Sequence, residues 1–309
     1  MSSLGINVGS SSIKAVLTEG KKILWSTVVE HEGNFIETLK NILKEKKVQG
    51  TKTLTTGTEG RYLVNTNNVL ESVCVEEALR ALDYKVDAVV SLGGEIFVVY
   101  TISEEGKIIT SFSGNKCASG TGEFFKQQLG RMDMKLADIA AVPAESKVCK
   151  MASRCSVFMK SDCTHKLNKG EATKGDIVLS LSDVMATKVV DFLKRARIKT
   201  GRVLLIGGVT RNQHIIRFLT DKLPEIEFVI PEEASYFEAY GAALLAEKSG
   251  SSLPGADSIV KGHDISFGRY PKLSSAEGKV KYIQPKRGKA RAGAEYILGV
   301  DGGSTTTKV

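Results

Sequence analysis

Short apolar runs that end in glycine shape the pattern of hydrophobic and polar positions along most of the chain. The run at residues 6–8 leads into a polar turn, GSSSIK, and then into a second apolar run, which predicts two strands joined by a tight turn. Further runs end in glycine pairs at 86–94 and 202–208, and helical spacing follows at 212–219. The pattern predicts a mixed α/β fold with glycine turns at strand ends.

The beginning of the chain recurs near its end. LGINVGSSSIK at residues 4–14 and LGVDGGSTTTK at 298–308 share Leu, Gly, Gly, Ser and Lys in the same register. A chance match of this length is the alternative to a true repeat. The stretch between the copies is rich in Gly, Ser and Lys, which is typical of a linker. We expect a folded domain at 1–248, a basic linker at 249–295 and the start of a second, truncated copy at 296–309.

Composition excludes several classes of protein. With 309 residues and 42% hydrophobic content, the chain can bury a sizeable core. The sequence shows neither the pattern of a signal peptide nor an apolar run long enough for a membrane helix, so we expect a cytoplasmic location and no membrane partner. Five cysteines are an odd number, and a reducing cytosol favours burial, metal binding or redox chemistry over disulfides.

The net charge of +8 does not indicate nucleic-acid binding. Residues 249–309 carry ten Lys and Arg against five Asp and Glu, so they contribute +5 of that charge. These basic residues lack the interleaved aromatics of an RNA-binding surface. A solvated linker is the better interpretation, and we expect no nucleic-acid partner.

The glycine turns have the chemistry of phosphate loops. Glycine lets the backbone approach an anion, hydroxyl and N–H groups donate hydrogen bonds, and a lysine compensates the charge. Each glycine pair alone is more typical of a turn between two elements that binds no ligand, whereas three such turns in this order favour a nucleotide site. The candidate ligand-binding residues are Gly9, Ser10, Ser11, Ser12 and Lys14 in the first turn, Gly93 and Gly94 in the second, and Gly207, Gly208 and Val209 in the third.

These three turns together resemble the nucleotide-binding superfamily of actin, hexokinase and the heat-shock chaperone ATPases. Within it, residues 3–248 are similar to the ATPase activators of 2-hydroxyacyl-CoA dehydratases and benzoyl-CoA reductase. The resemblance implies a two-lobed actin-like (ribonuclease H-like) ATPase fold, with mixed sheets flanked by helices and with ATP and magnesium in the cleft. YGAALLAEK resembles the closing helix of that fold, which makes Gly241 a further cofactor-binding candidate, although ordinary core packing would also explain it.

Two cysteines stand before apparent helix starts. Cys117 precedes a glycine-rich turn and an apolar helical pattern, and Cys155 precedes a second plausible helix. The positive end of a helix favours thiolates and an anionic cluster. By resemblance, these two cysteines ligate a [4Fe-4S] cluster. Since such a cluster needs four thiolates, it would bridge two copies of the domain, in a homodimer or a pseudo-dimer.

The remaining cysteines have simpler interpretations. Inert core packing is the expectation for Cys74 and Cys149. A zinc site that combines Cys163 and His165 with Cys155 or Cys149 is a weaker alternative, because the spacing lacks a close CxxC pair.

The candidate catalytic residues depart from the family pattern. Asn7 stands where the family usually has Asp, and Ser91 replaces a second common Asp. Glu95 and Ile96 occupy positions where activators typically have Gln and Asp. We take Asn7 and Glu95 as the catalytic candidates and expect the lost carboxylates to weaken metal-assisted hydrolysis, which would then belong mainly to a second copy.

The resemblance implies an ATP-dependent iron-sulfur electron-transfer activator. Its expected partners are an acyl-CoA dehydratase or reductase-type iron-sulfur enzyme and, as electron donor, a ferredoxin or flavodoxin. A noncatalytic nucleotide-binding regulatory half is the first alternative, favoured by Asn7 and the altered second loop. A small-molecule kinase is the second alternative; it would need a carboxylate base placed by the second loop to activate a substrate hydroxyl, and Ser91 and Ile96 make that less likely.

Overall fold

The chain folds into two compact units, Met1–Gly262 and His263–Val309. The structure is a computed structural model that describes residues 2–58, 60–114, 121–153, 155–255, 258–260, 273–283, 288–289, 291–302 and 306–309. Among these residues, no helix combines the length and apolar content needed to cross a bilayer.

Strands and helices alternate along the first unit, as the pattern of glycine-ended apolar runs predicts. In chain order they are β1 (Ser2–Val8), β2 (Ser12–Glu19), β3 (Lys22–Glu30), α1 (Phe35–Lys46), β4 (Lys52–Thr56), β5 (Asn67–Asn68), α2 (Glu71–Leu82), β6 (Ala88–Leu92), β7 (Phe97–Ile102), β8 (Ile108–Ser113), α3 (Gly122–Arg131), α4 (Ser156–Asn168), α5 (Lys174–Arg195), β9 (Gly201–Ile206), α6 (Gln213–Lys222), β10 (Ile226–Val229), α7 (Phe237–Ser249) and β11 (Ser251–Ser252).

The two mixed sheets share the same arrangement of their four main strands. In the first, β3, β2 and β1 are antiparallel neighbours and β4 is added parallel to β1. In the second, β8, β7 and β6 are antiparallel neighbours and β9 is added parallel to β6. The edges are completed by β5 and β11 in the first sheet and by β10 in the second. The β1–β2 and β6–β7 turns are therefore equivalent places in the two sheets.

Helices cover the sheets on apolar faces. α5 is buried over much of its length and packs, together with α6, in the core of the second sheet. α2 and α7 share a core with residues from both sheets, including Val16 and Val89. α1 packs on the outer face of the first sheet through Leu39 and Leu43. The packed structure continues past residue 248, because β11 pairs with β4 and both Leu253 and Ile259 are buried.

The second unit contains a short hairpin, β12 (Asp301–Gly302) with β13 (Thr307–Lys308). Asp301 pairs with Lys308 in this hairpin, just as Asn7 pairs with Lys14 between β1 and β2. The two sequence copies therefore share a strand pairing. The assignment of residues 296–309 to a repeated domain remains a prediction.

Gly241 lies where α7 crosses α2. A Cβ atom at this position would overlap the backbone carbonyl of Cys74. We expect Gly241→Ala to lower the free energy of unfolding by about 3 kcal/mol, since overpacking against rigid backbone is costly. Gly130→Ala is the matched control: it lies on an exposed face of α3 with open space around it, and alanine favours helix by about 1 kcal/mol. Denaturant unfolding measures both, and equal stability of the two variants would contradict this packing role.

Candidate functional site

A cavity of about 1270 Å³ lies between the two sheets of the first unit. The strand-end turns singled out in the sequence line it together. These residues are Asn7, Gly9, Ser10, Ser11, Ser12, Lys14, Gly93, Gly94, Glu95, Gly207, Gly208 and Val209. Gly241 does not line this cavity and instead packs on α2.

The first turn is a tight loop braced by a histidine. The backbone N–H of Gly9 donates to the Ser12 carbonyl at 3.1 Å, which closes the β1–β2 turn. His31, at the exit of β3, bonds the Gly9 carbonyl through Nε2 at 3.0 Å and accepts from the Gly33 N–H through Nδ1 at 3.1 Å. Since Nδ1 is an acceptor, the neutral ring carries its proton on Nε2 and donates it to Gly9. These two hydrogen bonds of His31 hold the first turn in place.

The second turn meets the first across the cavity. A Cβ atom on Gly94 would lie only 2.7 Å from Ser11 Oγ and 3.0 Å from Ser10 Oγ. The turn itself closes through the Gly93 N–H, which donates to the Ile96 carbonyl at 3.1 Å. Backbone of one loop and hydroxyls of the other therefore converge, as expected of a site that surrounds phosphate groups.

The third turn ends β9 and leads to an apolar wall. Gly207 has φ +96, and a Cβ there would overlap the Leu92 backbone at the end of β6, so both its conformation and its surroundings require glycine. On this side, three elements contribute apolar residues to the lining of the cavity. They are Leu136, Ala137, Ile139 and Ala140 from the 3-10 turn at 136–141, Met185 from α5 and Ile215 from α6. Such a wall suits a planar base.

Lys14, Glu71 and Glu238 are three of the charged residues that line the cavity. Lys14 Nζ donates weakly to the Ser12 carbonyl at 3.4 Å. Burial lowers the pKa of Lys14, and the carboxylates of Glu238 and Glu71 oppose that effect. Burial raises the pKa of Glu71, which sits at the first position of α2 and accepts a hydrogen bond from Thr58. A buried lysine of this kind gains most from an anionic ligand such as phosphate.

As the pH rises, the affinity for nucleotide is expected to fall at a lower pH than it would with a lysine of ordinary pKa. Because the pKa of Lys14 is lowered, its charge is lost as pH rises through a value below 10.5, and a bound polyanion favours the charged form. Calorimetric titration with ADP between neutral and alkaline pH should show the affinity decreasing by up to about tenfold per pH unit above that value. Lys14→Arg stays charged and should flatten the decline; the same decline in this variant would contradict the assignment.

Cys155 is the N-cap of α4 and is partly exposed. The structure therefore places it at a helix start, as the sequence predicts. Cys117 lies outside the described residues, and α3 begins shortly after it at Gly122. Among the described residues no three His, Cys, Asp or Glu side chains come together as a metal site, so the zinc alternative through Cys163 and His165 finds no support there.

Among the many lining residues outside the glycine turns, three titratable ones bear on the first loop or on Lys14, and the sequence pattern does not single them out: His31, Glu71 and Glu238. Each lies far along the chain from the glycine turns. Glu238 lies two residues before the segment YGAALLAEK that resembles a closing helix, and nothing in the sequence around it marks it as a site residue. A buried carboxylate next to a helix start can be located only once the helices are packed.

The chain matches known proteins over most of its length. Residues 4–246 match the BadF/BadG/BcrA/BcrD ATPase family. The (R)-2-hydroxyglutaryl-CoA dehydratase activating ATPase of Acidaminococcus fermentans is 31% identical over 257 residues, which cover 79% of this chain and 96% of that protein.

Solved structures of activators share the fold. The crystal structure of component A of the Acidaminococcus fermentans dehydratase superposes with a TM-score of 0.69 at 27% identity, covering 81% of this chain and 99% of that one. The Clostridium difficile activator of 2-hydroxyisocaproyl-CoA dehydratase with bound ADPNP gives a TM-score of 0.69 at 21% identity, covering 92% and 100%. The two-lobed actin-like fold with mixed sheets is thereby confirmed, and this chain belongs to the BadF/BadG/BcrA/BcrD ATPase family.

Proposed function

We propose that this chain is an ATP-dependent iron-sulfur activator, which passes electrons to a 2-hydroxyacyl-CoA dehydratase or a related reductase. One observation carries the proposal. The Gly93–Gly94 turn lines the nucleotide cavity and also holds the first turn of α3, the helix that follows the Cys117 segment. Nucleotide and cluster ligand would therefore be linked through a single loop.

The contacts between this loop and α3 are made by backbone atoms. The N–H of Gly122 donates to the Gly93 carbonyl at 3.3 Å, and the N–H of Glu123 donates to the Gly94 carbonyl at 2.8 Å. Val209, from the third loop, lies so close that a Cβ on Gly122 would be 2.7 Å from its Cγ2. A shift of either loop around a phosphate must therefore move the start of α3.

α3 also contacts the other sheet. Lys126 forms an ion pair with Glu30 at the end of β3, and this pairing raises the pKa of Lys126. One helix is thus attached to both walls of the cavity. Closing the cavity on a nucleotide would reposition α3, and this gives ATP binding a route to the cysteine segment before it.

The residues around Cys155 fit one half of a shared cluster site. The thiol stands at the positive end of α4, which favours an anionic ligand. Val157 and Phe158, in the first turn of the same helix, are each 66% exposed, which is typical of a surface that packs against a second copy. Cys117 and Cys155 from two copies would supply four thiolates to a [4Fe-4S] cluster, which supplies one-electron transfer when bound.

The cavity also fits magnesium bound together with ATP, although it offers the ion few protein ligands. Since the described residues form no cluster of three carboxylates, histidines or thiols, the ion would be held mainly by phosphate oxygens and water, with Glu95 and the Asn7 amide nearby. The polar loops fit the triphosphate, and the apolar wall fits the base.

The partners follow from the proposed role. The relatives named above are activators of acyl-CoA dehydratases, which supports a partner enzyme of that class for this chain. A ferredoxin or flavodoxin would supply the electron, and the cluster would join two copies in a homodimer or pseudo-dimer. In the alternative, a noncatalytic regulatory half, the same site would bind nucleotide but would not hydrolyse it.

Anaerobic purification followed by iron and sulfide analysis tests the proposal. We expect about two iron atoms per chain after reconstitution, because a four-iron cluster is shared by two copies, and an electron paramagnetic resonance signal after reduction. A chain that binds ATP but takes up no iron would contradict it. ATP turnover by the same sample separates the activator from the regulatory alternative.

A further inference from the structure

Glu238 is a buried carboxylate that faces the nucleotide cavity. It lies in the first turn of α7, is 7% exposed and lines the cavity close to the first and second loops. The Ser91 hydroxyl, near the end of β6, donates to its Oε1 at 2.9 Å. The side chain therefore connects α7 to the second sheet at the base of the cavity.

The position of this carboxylate compensates for a missing one. The resemblance implies an Asp at the position of Ser91, and the hydrogen bond places a Glu238 oxygen 2.9 Å from the Ser91 hydroxyl. The electrostatic influence of Glu238 reaches Lys14 and Glu71, so the carboxylate belongs to the charged end of the cavity. α7 therefore places a carboxylate beside the end of β6.

The two residues predicted to be catalytic are less suited to proton transfer. Asn7 is an amide and cannot take a proton, although its Oδ1 is buried in a residue that is 3% exposed and has no hydrogen-bond partner among the described residues. Glu95 is exposed on its loop. Of these candidates, Glu238 is the carboxylate that is both buried and fixed by a second residue.

We infer that Glu238 is the catalytic base for ATP hydrolysis at this site, an assignment that rests on the proposed ATPase function. A water molecule attacks the γ-phosphorus, forming a P–O bond, and its proton passes to the Glu238 carboxylate. The bond between the γ-phosphorus and the bridging oxygen breaks, and its electron pair leaves on the β-phosphate of ADP. Ser91 fixes Oε1 so that Oε2 can face the water, and Lys14 offsets the phosphate charge.

Glu238→Gln tests this role because glutamine keeps an acceptor for Ser91 but cannot act as a base. ATP turnover should fall by at least about 100-fold while ADP affinity changes by less than about threefold, as expected for loss of general-base catalysis. Glu247→Gln, at an exposed position of the same helix, is the control and should retain full turnover. Equal turnover in the wild type and Glu238→Gln would overturn the inference.

A second variant separates chemistry from folding. In Glu238→Ala the lost carboxylate can be replaced in part by added formate, so turnover should rise with formate in this variant and not in the wild type. No rise in a folded variant would contradict the assignment. A wild-type chain that binds ATP without hydrolysing it also overturns this inference, but leaves the proposed nucleotide gating intact. An iron-free chain whose hydrolysis depends on Glu238 contradicts the activator function alone.

Discussion

Replacing Lys14 by alanine is expected to weaken ADP binding by about 30- to 100-fold, the effect of losing one charge-assisted hydrogen bond to phosphate. Lys14 lies on β2 beside Asn7 and lines the cavity next to the first loop. Its pKa is lowered by burial, so the folded protein carries an electrostatic penalty that the ligand relieves. Calorimetric titration with ADP measures the loss.

A melting curve of Lys14→Ala is recorded beside the affinity, so that folded protein is compared. Removing the charge relieves its desolvation but also removes its attraction to Glu71 and Glu238, and these two effects on the melting temperature oppose each other. Lys22→Ala, at the exposed start of β3, is the matched control and should bind ADP like the wild type. Unchanged affinity in a folded Lys14→Ala variant would place the phosphates elsewhere.

Replacing Cys155 by alanine is expected to remove at least about nine-tenths of the bound iron, since a cluster shared by two copies loses two of its four thiolates at once. Cys155 is partly exposed at the helix start, where a thiolate is favoured. Iron and sulfide analysis of anaerobically reconstituted protein measures this directly.

Cys163 provides the matched control on the same helix. It is buried, and burial raises the pKa of its thiol to about 11, so it is expected to remain protonated and inert. Cys163→Ala should therefore keep its iron, at a modest cost in stability from the small cavity. If Cys155→Ala retains full iron, or if Cys163→Ala loses it, the assignment of the cluster ligand is wrong.

The strands and their glycine turns follow from the sequence because their cause is local. β1 contains the short segment at residues 6–8 that leads into the first glycine turn, and Gly207 adopts a backbone conformation that other residues avoid. Such preferences operate over a few residues, so the three glycine turns that line the cavity can be located without a structure. The helix start at Cys155 is predictable for the same reason.

The charged end of the cavity could not be located in this way. Glu71 and Glu238 begin two helices that are far apart in sequence, and they approach Lys14 only because α2 and α7 pack together against the first sheet. The link from Gly94 to α3 is made by backbone hydrogen bonds, which leave no trace in side-chain identity. Long-range packing therefore decides which carboxylate serves the site.

The rate at which a chelator removes iron, with and without ATP, tests most directly whether nucleotide binding controls the cluster. In reduced, anaerobically reconstituted protein, ATP should change that rate by about tenfold, which corresponds to about 1.4 kcal/mol in the activation free energy of iron removal. We expect faster removal, because movement of α3 opens the surroundings of the cluster. At an ATP concentration near the wild-type Kd, the ATP effect should be largely lost in Lys14→Ala, which binds nucleotide more weakly. An iron-loaded wild-type protein that releases iron at the same rate with and without ATP would contradict the account.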